Sequence, residues 1–189
     1  LMGKMADRYA NKIYVTDDNP RNENAKSIRN SIMKGCSRAS EISNRSNAIQ
    51  VAINEIQKSE ILIIAGKGHE NKQIIKNKKI IFDDVKIAEK FINEKKSQLK
   101  LQNSVNRYLF NNNDKLKINS NDIKSGDVFI ALKGKKSHGN VYINQATKNG
   151  AKYIITDNKT YFSNKNKLVL HVEDSLNFIK KNAILKRKN

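Results

Sequence analysis

Apolar residues along this chain fall into short β-branched runs, separated by stretches where they recur every three or four positions. Ile13-Tyr14-Val15 and Ile61-Leu62-Ile63-Ile64-Ala65 are two such runs. The first leads into Asp17-Asp18-Asn19-Pro20-Arg21 and the second into Gly66-Lys67-Gly68-His69-Glu70. Runs of this kind predict buried parallel strands, whose carboxyl ends are where open α/β sheets place ligands. Between them the spacing predicts a helix over about 25–34, with Ile28, Ile32 and Met33 on one face. Gly35 is placed to end it in a left-handed conformation. Ser43 or Asn44 can cap a second helix carrying Ala48, Ile49, Ala52, Ile53 and Ile56. Two short apolar pieces, 73–75 and 80–82, then precede a helix capped by Asp83 or Asp84 and lined by Ile87, Ala88, Phe91 and Ile92.

The pattern breaks at Glu94-Lys95-Lys96-Ser97-Gln98, a polar stretch without clear register, and a domain boundary is expected there. The reading is a domain over 1–95, a linker over 96–108 and a second domain over 109–189. The second half restarts the alternation of strand and helix. Strands are expected at 116–118, 128–132, 153–156 and 168–172, with helices over 141–149, closed by Gly150, and from about Asp174 to Leu185. The halves share no period, so they are not an internal repeat.

Composition narrows the class. A chain of 189 residues with 38% apolar content can build one large or two small domains. Its single cysteine, Cys36, excludes an internal disulfide framework and fits a reducing compartment. No run approaches the roughly 20 apolar residues that span a bilayer, so a cytoplasmic protein without a membrane span is expected. The net charge of +19 invites a nucleic-acid reading. The lysines are scattered, however, and accompanied by asparagine, as in Asn111-Asn112-Asn113 and Asn164-Lys165-Asn166-Lys167. Aromatic residues (six Phe, six Tyr, no Trp) do not alternate with them as a base-stacking platform would require. The one dense cluster, Lys186-Arg187-Lys188, reads as a frayed helix end.

Several familiar chemistries fail on spacing. Gly66-Lys67-Gly68 lacks the third glycine and immediate helix of a dinucleotide fingerprint. Gly134-Lys135-Lys136-Ser137 resembles the end of a phosphate loop, but Phe129 stands where its first glycine belongs. His69, His138 and His171 are too dispersed for a zinc pattern. Asp17 and Asp18 beside Asp83 and Asp84 suggest a magnesium site less than an Asx turn and a helix cap. No Ser-His-Asp or Cys-His arrangement is visible.

The two loops do match a family. Leu1-Met2-Gly3-Lys4, Val15-Thr16-Asp17-Asp18-Asn19-Pro20-Arg21, Arg45 with Ala48-Ile49, Ile64-Ala65-Gly66-Lys67-Gly68-His69-Glu70, Gln73 and Phe82-Asp83-Asp84 follow one another in the order and spacing of a Mur ligase C-terminal domain. The resemblance is to the MurE type, which adds the third amino acid to the UDP-N-acetylmuramoyl peptide of peptidoglycan. It implies a Rossmann-like α/β domain. In this family the Asp-Asn-Pro-Arg form goes with meso-diaminopimelate, which is lysine with an extra carboxylate at its far end. Arg21 offers a planar fork suited to that carboxylate. By the resemblance Asn19 and the backbone of Gly66 help hold it, Glu70 accepts from the neighbouring ammonium, and Asp18 and His69 are supporting candidates. Lysine would leave Arg21 unpaired, at about 1–3 kcal/mol or more.

From about Leu116 the chain resembles a small α/β Mur ligase N-terminal domain, most closely of the MurF type. The resemblance rests on Ser120, Ile123-Lys124-Ser125-Gly126-Asp127-Val128-Phe129-Ile130-Ala131-Leu132-Lys133-Gly134, Gly139, Ala146 and Gly150-Ala151. In the family this domain binds the UDP-muramoyl peptide, and Ser120 is the one contact carried over. Asn119, Asn121 and His138-Gly139-Asn140 depart from the usual residues. The whole is expected to be a piece of a MurE–MurF fusion cut at both ends, monomeric and inactive alone. ATP and Mg²⁺ would be held by central domains that it lacks. The alternatives are a stand-alone module binding meso-diaminopimelate or a muropeptide, and a basic nucleic-acid-binding protein.

Overall fold

The computed structural model describes residues 1–135, 137–158 and 169–187. The chain divides into two compact units, Leu1–Lys95 and Lys96–Asn189. The mixed α/β architecture with a parallel sheet matches the expected fold class.

In the first unit, helix α1 (Met2–Tyr9) packs close to the end of α2 (Ala25–Met33). A Cβ on Gly35 would stand 3.1 Å from the Lys4 amide nitrogen, and one on Gly3 would stand 3.3 Å from the Cys36 sulfur. Gly35 is not in the left-handed region. The expectation of a left-handed helix end is corrected: Gly35 instead lies where α1 approaches the end of α2 closely.

Helix α2 is capped by Asn24, which accepts from the Ser27 amide at 3.1 Å. Its buried residue is Arg29, whereas Ile28, Ile32 and Met33 are only half-buried. Arg29 reaches Glu41 at 2.7 Å and also binds Asp17. It thereby ties the helix to the parallel pair β1 (Tyr14–Val15) and β2 (Ser40–Glu41). Asn44 caps α3 (Arg45–Glu55), whose Ile49 and Ile53 form the core with Phe91.

Residues 61–65, expected as a buried parallel strand, join no sheet. Leu62 and Ile64 pack on that core, while Ile61 and Ile63 are 88% and 81% exposed. The two-residue alternation of extended chain is present. Residue type encodes extension, but a ladder also needs a neighbour, and no described strand pairs with this segment. Strands β3 (Lys72–Ile75) and β4 (Lys78–Ile81) form an antiparallel hairpin.

Asp83 caps α4 (Asp84–Asn111), accepting from the Val85 and Lys86 amides at 3.0 and 3.1 Å. This helix does not stop near Ile92, and residues 96–108 are helical rather than a polar linker. Leu101, Val105 and Leu109 recur every four positions and pack into the second unit's core. That burial outweighs the polar composition at 94–98.

The second unit is a four-stranded parallel sheet of β5 (Leu116–Lys117), β6 (Val128–Ala131), β7 (Tyr153–Thr156) and β8 (Val169–His171), in that order. Alternate residues face opposite layers. Phe129, Ala131, Ile154 and Val169 pack with Ile143 and Ala146 of α5 (Ile143–Lys148). Val128, Ile130, Ile155 and Leu170 pack with Val105 and Leu109 of α4 and Phe178 of α6 (Ser175–Arg187). Of the segments read from sequence, Lys136, Asn164-Lys165-Asn166-Lys167, Leu168 and Lys188 lie outside the described residues.

Candidate functional site

The two expected loops lie together in the first unit, joined by a side-chain bond between Asn19 and Glu70, while further bonds tie the first loop to β3. Asn19 uses both ends of its amide: Oδ1 accepts from the Ile74 backbone N–H at 2.9 Å, and Nδ2 donates to Glu70. Gln73 donates to the Asp18 carbonyl at 2.7 Å. The Arg21 amide donates to the Ile74 carbonyl at 3.0 Å, and the Lys76 amide donates to the Arg21 carbonyl at 2.6 Å. The first loop is therefore seated against β3.

Arg21 sits at φ 51, a left-handed conformation that is unfavourable for a residue with a side chain. Its side chain is exposed, and no ion pair reaches it among the described residues. Gly66 is required twice over. Its φ of +109 suits glycine, and a Cβ there would lie 2.7 Å from Asp18 Oδ2. Lys67 is buried, donates to the Lys72 carbonyl at 2.6 Å and lies 5.3 Å over the Phe82 ring. It pins the glycine loop from beneath. His69 is exposed and contributes no bond to this arrangement.

Asp18 holds its Oδ1 buried without a hydrogen-bond partner. Burial pushes its carboxyl above the usual range, against the pull of Arg45 and Lys67. An orphan acceptor of this kind calls for a donor. The loops thus bring an exposed guanidinium into the same unit as two carboxylates, Asp18 and Glu70. That donor set suits a zwitterion.

Arg45 and Asp84 were carriers of the resemblance without a role, and they prove central to the site's frame. Arg45 is 5% exposed and grips Asp84 with two bonds, Nε to Oδ1 at 2.9 Å and Nη2 to Oδ2 at 2.6 Å. The same guanidinium donates to the Ala65 carbonyl at 2.9 Å and the Asp17 carbonyl at 3.4 Å. The sequence signal was Arg45 standing one turn ahead of Ala48 and Ile49, on the face α3 buries.

The four aspartates near the loops do not fit a metal. Asp17 is taken by Arg29, Asp83 by helix amides and Asp84 by Arg45, leaving Asp18 alone. Among the described residues no group of three or more His, Cys, Asp or Glu is placed to hold an ion.

In the second unit Ser120 is buried. Its hydroxyl is 3.1 Å from the Gln145 side-chain oxygen, and its carbonyl accepts from Asn149 at 2.9 Å. A further cluster at the carboxyl end of the sheet was not foreseen. His138 Nδ1 accepts from the Asn140 amide at 3.2 Å, so the proton of the neutral ring sits on Nε2, which faces Asp157 Oδ1 at 2.6 Å. Asp157 Oδ2 accepts from the Ser175 amide at 3.1 Å, at the start of α6. Burial would raise the Asp157 carboxyl, but the Ser175 amide and His138 together hold it below the usual range. Neither His138 nor Asp157 belongs to a recognisable spacing, because the turn and the strand end meet only in the fold.

Residues 1–68 match the family described as Mur ligase, glutamate ligase domain, and residues 114–187 match the Mur ligase family, catalytic domain. A Mur ligase family model thus matches a stretch within each half of the chain. The UDP-N-acetylmuramoyl-L-alanyl-D-glutamate–2,6-diaminopimelate ligase of Rickettsia montanensis is 50% identical over 94 residues, 49% of this chain and 20% of that protein. The enzyme of that name from Buchnera aphidicola subsp. Baizongia pistaciae is 42% identical over 97 residues, 50% of this chain and 19% of that protein. The chain thus spans about a fifth of the length of these relatives. A solved structure of a ligase with the same name covers 50% of this chain and 20% of its own at 36% identity, TM-score 0.47. The MurF ligase of Thermotoga maritima in complex with ADP covers 36% and 16% at 36% identity, TM-score 0.33. Among the described residues no helix is long and apolar enough to cross a membrane.

Proposed function

We propose that the first unit is the amino-acid-holding domain of a MurE-type ligase and that its two loops grip the far end of meso-diaminopimelate. The observation that carries this reading is the pairing of loops through Asn19, which sets the exposed Arg21 and the carboxylates of Asp18 and Glu70 on one framework. Arg21 takes the distal carboxylate through a bidentate pair, Asn19 and the Gly66 backbone assist, and Glu70 and Asp18 accept from the ammonium. The sequence relatives named as diaminopimelate ligases support the substrate class. His69 keeps no more than a supporting place.

The second unit is read as a MurF-like N-terminal domain that binds a UDP-muramoyl peptide near Ser120, fused to the first in a cytoplasmic, monomeric chain. The reaction in view joins the peptide's carboxylate to the incoming amine at the expense of ATP, with Mg²⁺. The first unit's contribution is to place the amine. The sequence carries no complete phosphate loop, and the 189-residue chain is expected to hydrolyse no ATP when given meso-diaminopimelate.

Calorimetric titration of the chain with meso-diaminopimelate and with L-lysine tests the reading. Binding of the first, with the second weaker by about tenfold or more, is expected. Equal binding of both would remove Arg21 from its role, and absence of both would remove the site.

A further inference from the structure

We propose that Arg45, locked by Asp84, is a positioning residue that sets the two ligand loops relative to each other. The proposal rests on the reading of those loops as the meso-diaminopimelate site. Arg45 is remote in sequence from both loops, yet its guanidinium donates to the carbonyl of Ala65, the residue before Gly66, and to that of Asp17, the residue before Asp18. It therefore touches each loop at its point of departure. Both partners are carbonyls of non-ladder backbone, since residues 61–65 join no sheet and β1 ends at Val15. With no strand pairing between these two segments, a side chain does what a ladder does in a larger sheet.

Asp84 completes the device. Its two oxygens hold Nε and Nη2, which fixes the plane of the guanidinium and aims the remaining N–H groups at the two carbonyls. Asp84 sits in the first turn of α4, where a carboxylate is favoured by the helix N-terminus. The pair is nearly inaccessible to solvent, so salt screens it little. A lysine at position 45 could still neutralise Asp84, but one ammonium on a flexible stem cannot hold a planar fork to two further carbonyls.

The test separates this role from plain structural support and from the ligand reading. Backbone ¹⁵N–¹H spectra of the free chain and of Arg45→Lys report the loop positions without ligand, and thermal unfolding reports stability. The expected result is displaced amide resonances at Asp18, Asn19 and Gly66 in a variant that still folds. Calorimetry should then show meso-diaminopimelate affinity weakened about tenfold and discrimination against L-lysine reduced. Unmoved loop amides and unchanged affinity in the folded variant would overturn the proposal. Should Arg45→Lys not fold, Asp84→Asn keeps the shape of the pair and undergoes the same measurements. Failure of both to fold would make the pair a fold requirement and likewise overturn it. If the parent chain binds no meso-diaminopimelate, the ligand reading fails alone, and the loop amides still decide the role of Arg45.

Discussion

In the second unit, four parallel strands present alternate side chains to two apolar layers, with α5 on one face and α4 and α6 on the other. In the first, β1 and β2 contribute two residues each, and the core cluster is built on Ile49, Ile53 and Phe91. What that unit lacks in ladder it replaces with polar clamps. Arg29 binds Asp17 and Glu41, Arg45 binds Asp84 and two carbonyls, and Asn19 and Gln73 tie the first loop to Glu70 and β3. The difference teaches where each unit is vulnerable. Apolar layers fail by cavity, and clamps fail when one partner leaves the other buried and charged.

The largest effect is expected from breaking a clamp. Asp84→Ala strands the buried Arg45, and should destabilise the first unit by about 3–5 kcal/mol, as measured by hydrogen exchange at α3 amides. Exchange in the second unit's strands should be unchanged. Ile130→Ala is the counterpart. Removing a fully buried residue from the second unit's sheet should cost about 2–4 kcal/mol there and leave meso-diaminopimelate titrations unaffected.

Arg21 sharpens the contrast between stability and function within one loop. Its left-handed backbone is costly for any residue but glycine, so Arg21→Gly should stabilise the first unit by about 0.5–1 kcal/mol in urea unfolding. The same change should abolish selectivity for meso-diaminopimelate over lysine. A destabilised variant that still discriminates would refute both statements.

Acid should separate the units by smaller amounts. Burial raises the Asp18 carboxyl, so the folded first unit binds its proton more readily than the unfolded chain does. The penalty from that group is present above its folded pKa and is relieved as pH falls through it toward the ordinary value of 3.8. Asp157 has the opposite sign. Its lowered carboxyl contributes stability above the ordinary value, which is lost as pH falls through its folded pKa. Unfolding scans from neutral pH down to about pH 3 should show the second unit weakening through this group, and Asp157→Asn should remove that dependence.

Much of the second unit was legible because its strands are β-branched runs with a parallel ladder on hand, and the helices expected over 141–149 and from about Asp174 are present as α5 and α6. The first unit shows why the reading stopped short. Residues 61–65 carry the pattern of a strand, but pairing is a property of neighbours that the run itself does not contain. Gly35 looked like a helix terminator because glycine at that position usually is one, and only the approach of α1 reveals its use. The polar stretch at 94–98 hid a helix whose buried register lies further on, at Leu101, Val105 and Leu109. At the site, Asn19, Arg21, Gly66 and Glu70 were visible as loop residues. The pairing of Arg45 with Asp84 and that of His138 with Asp157 were not, because each depends on partners far apart in sequence or on a turn meeting a strand end.

The most direct test of the central reading is a titration of the ¹⁵N-labelled chain with meso-diaminopimelate, following the Arg21 side-chain N–H and the Gly66 backbone amide, with L-lysine as the comparison. Saturable shifts at both positions with meso-diaminopimelate, and none at Arg21 with lysine, are expected if the guanidinium holds the distal carboxylate. An Arg21 signal that stays still while meso-diaminopimelate binds, or that moves equally with lysine, would contradict it.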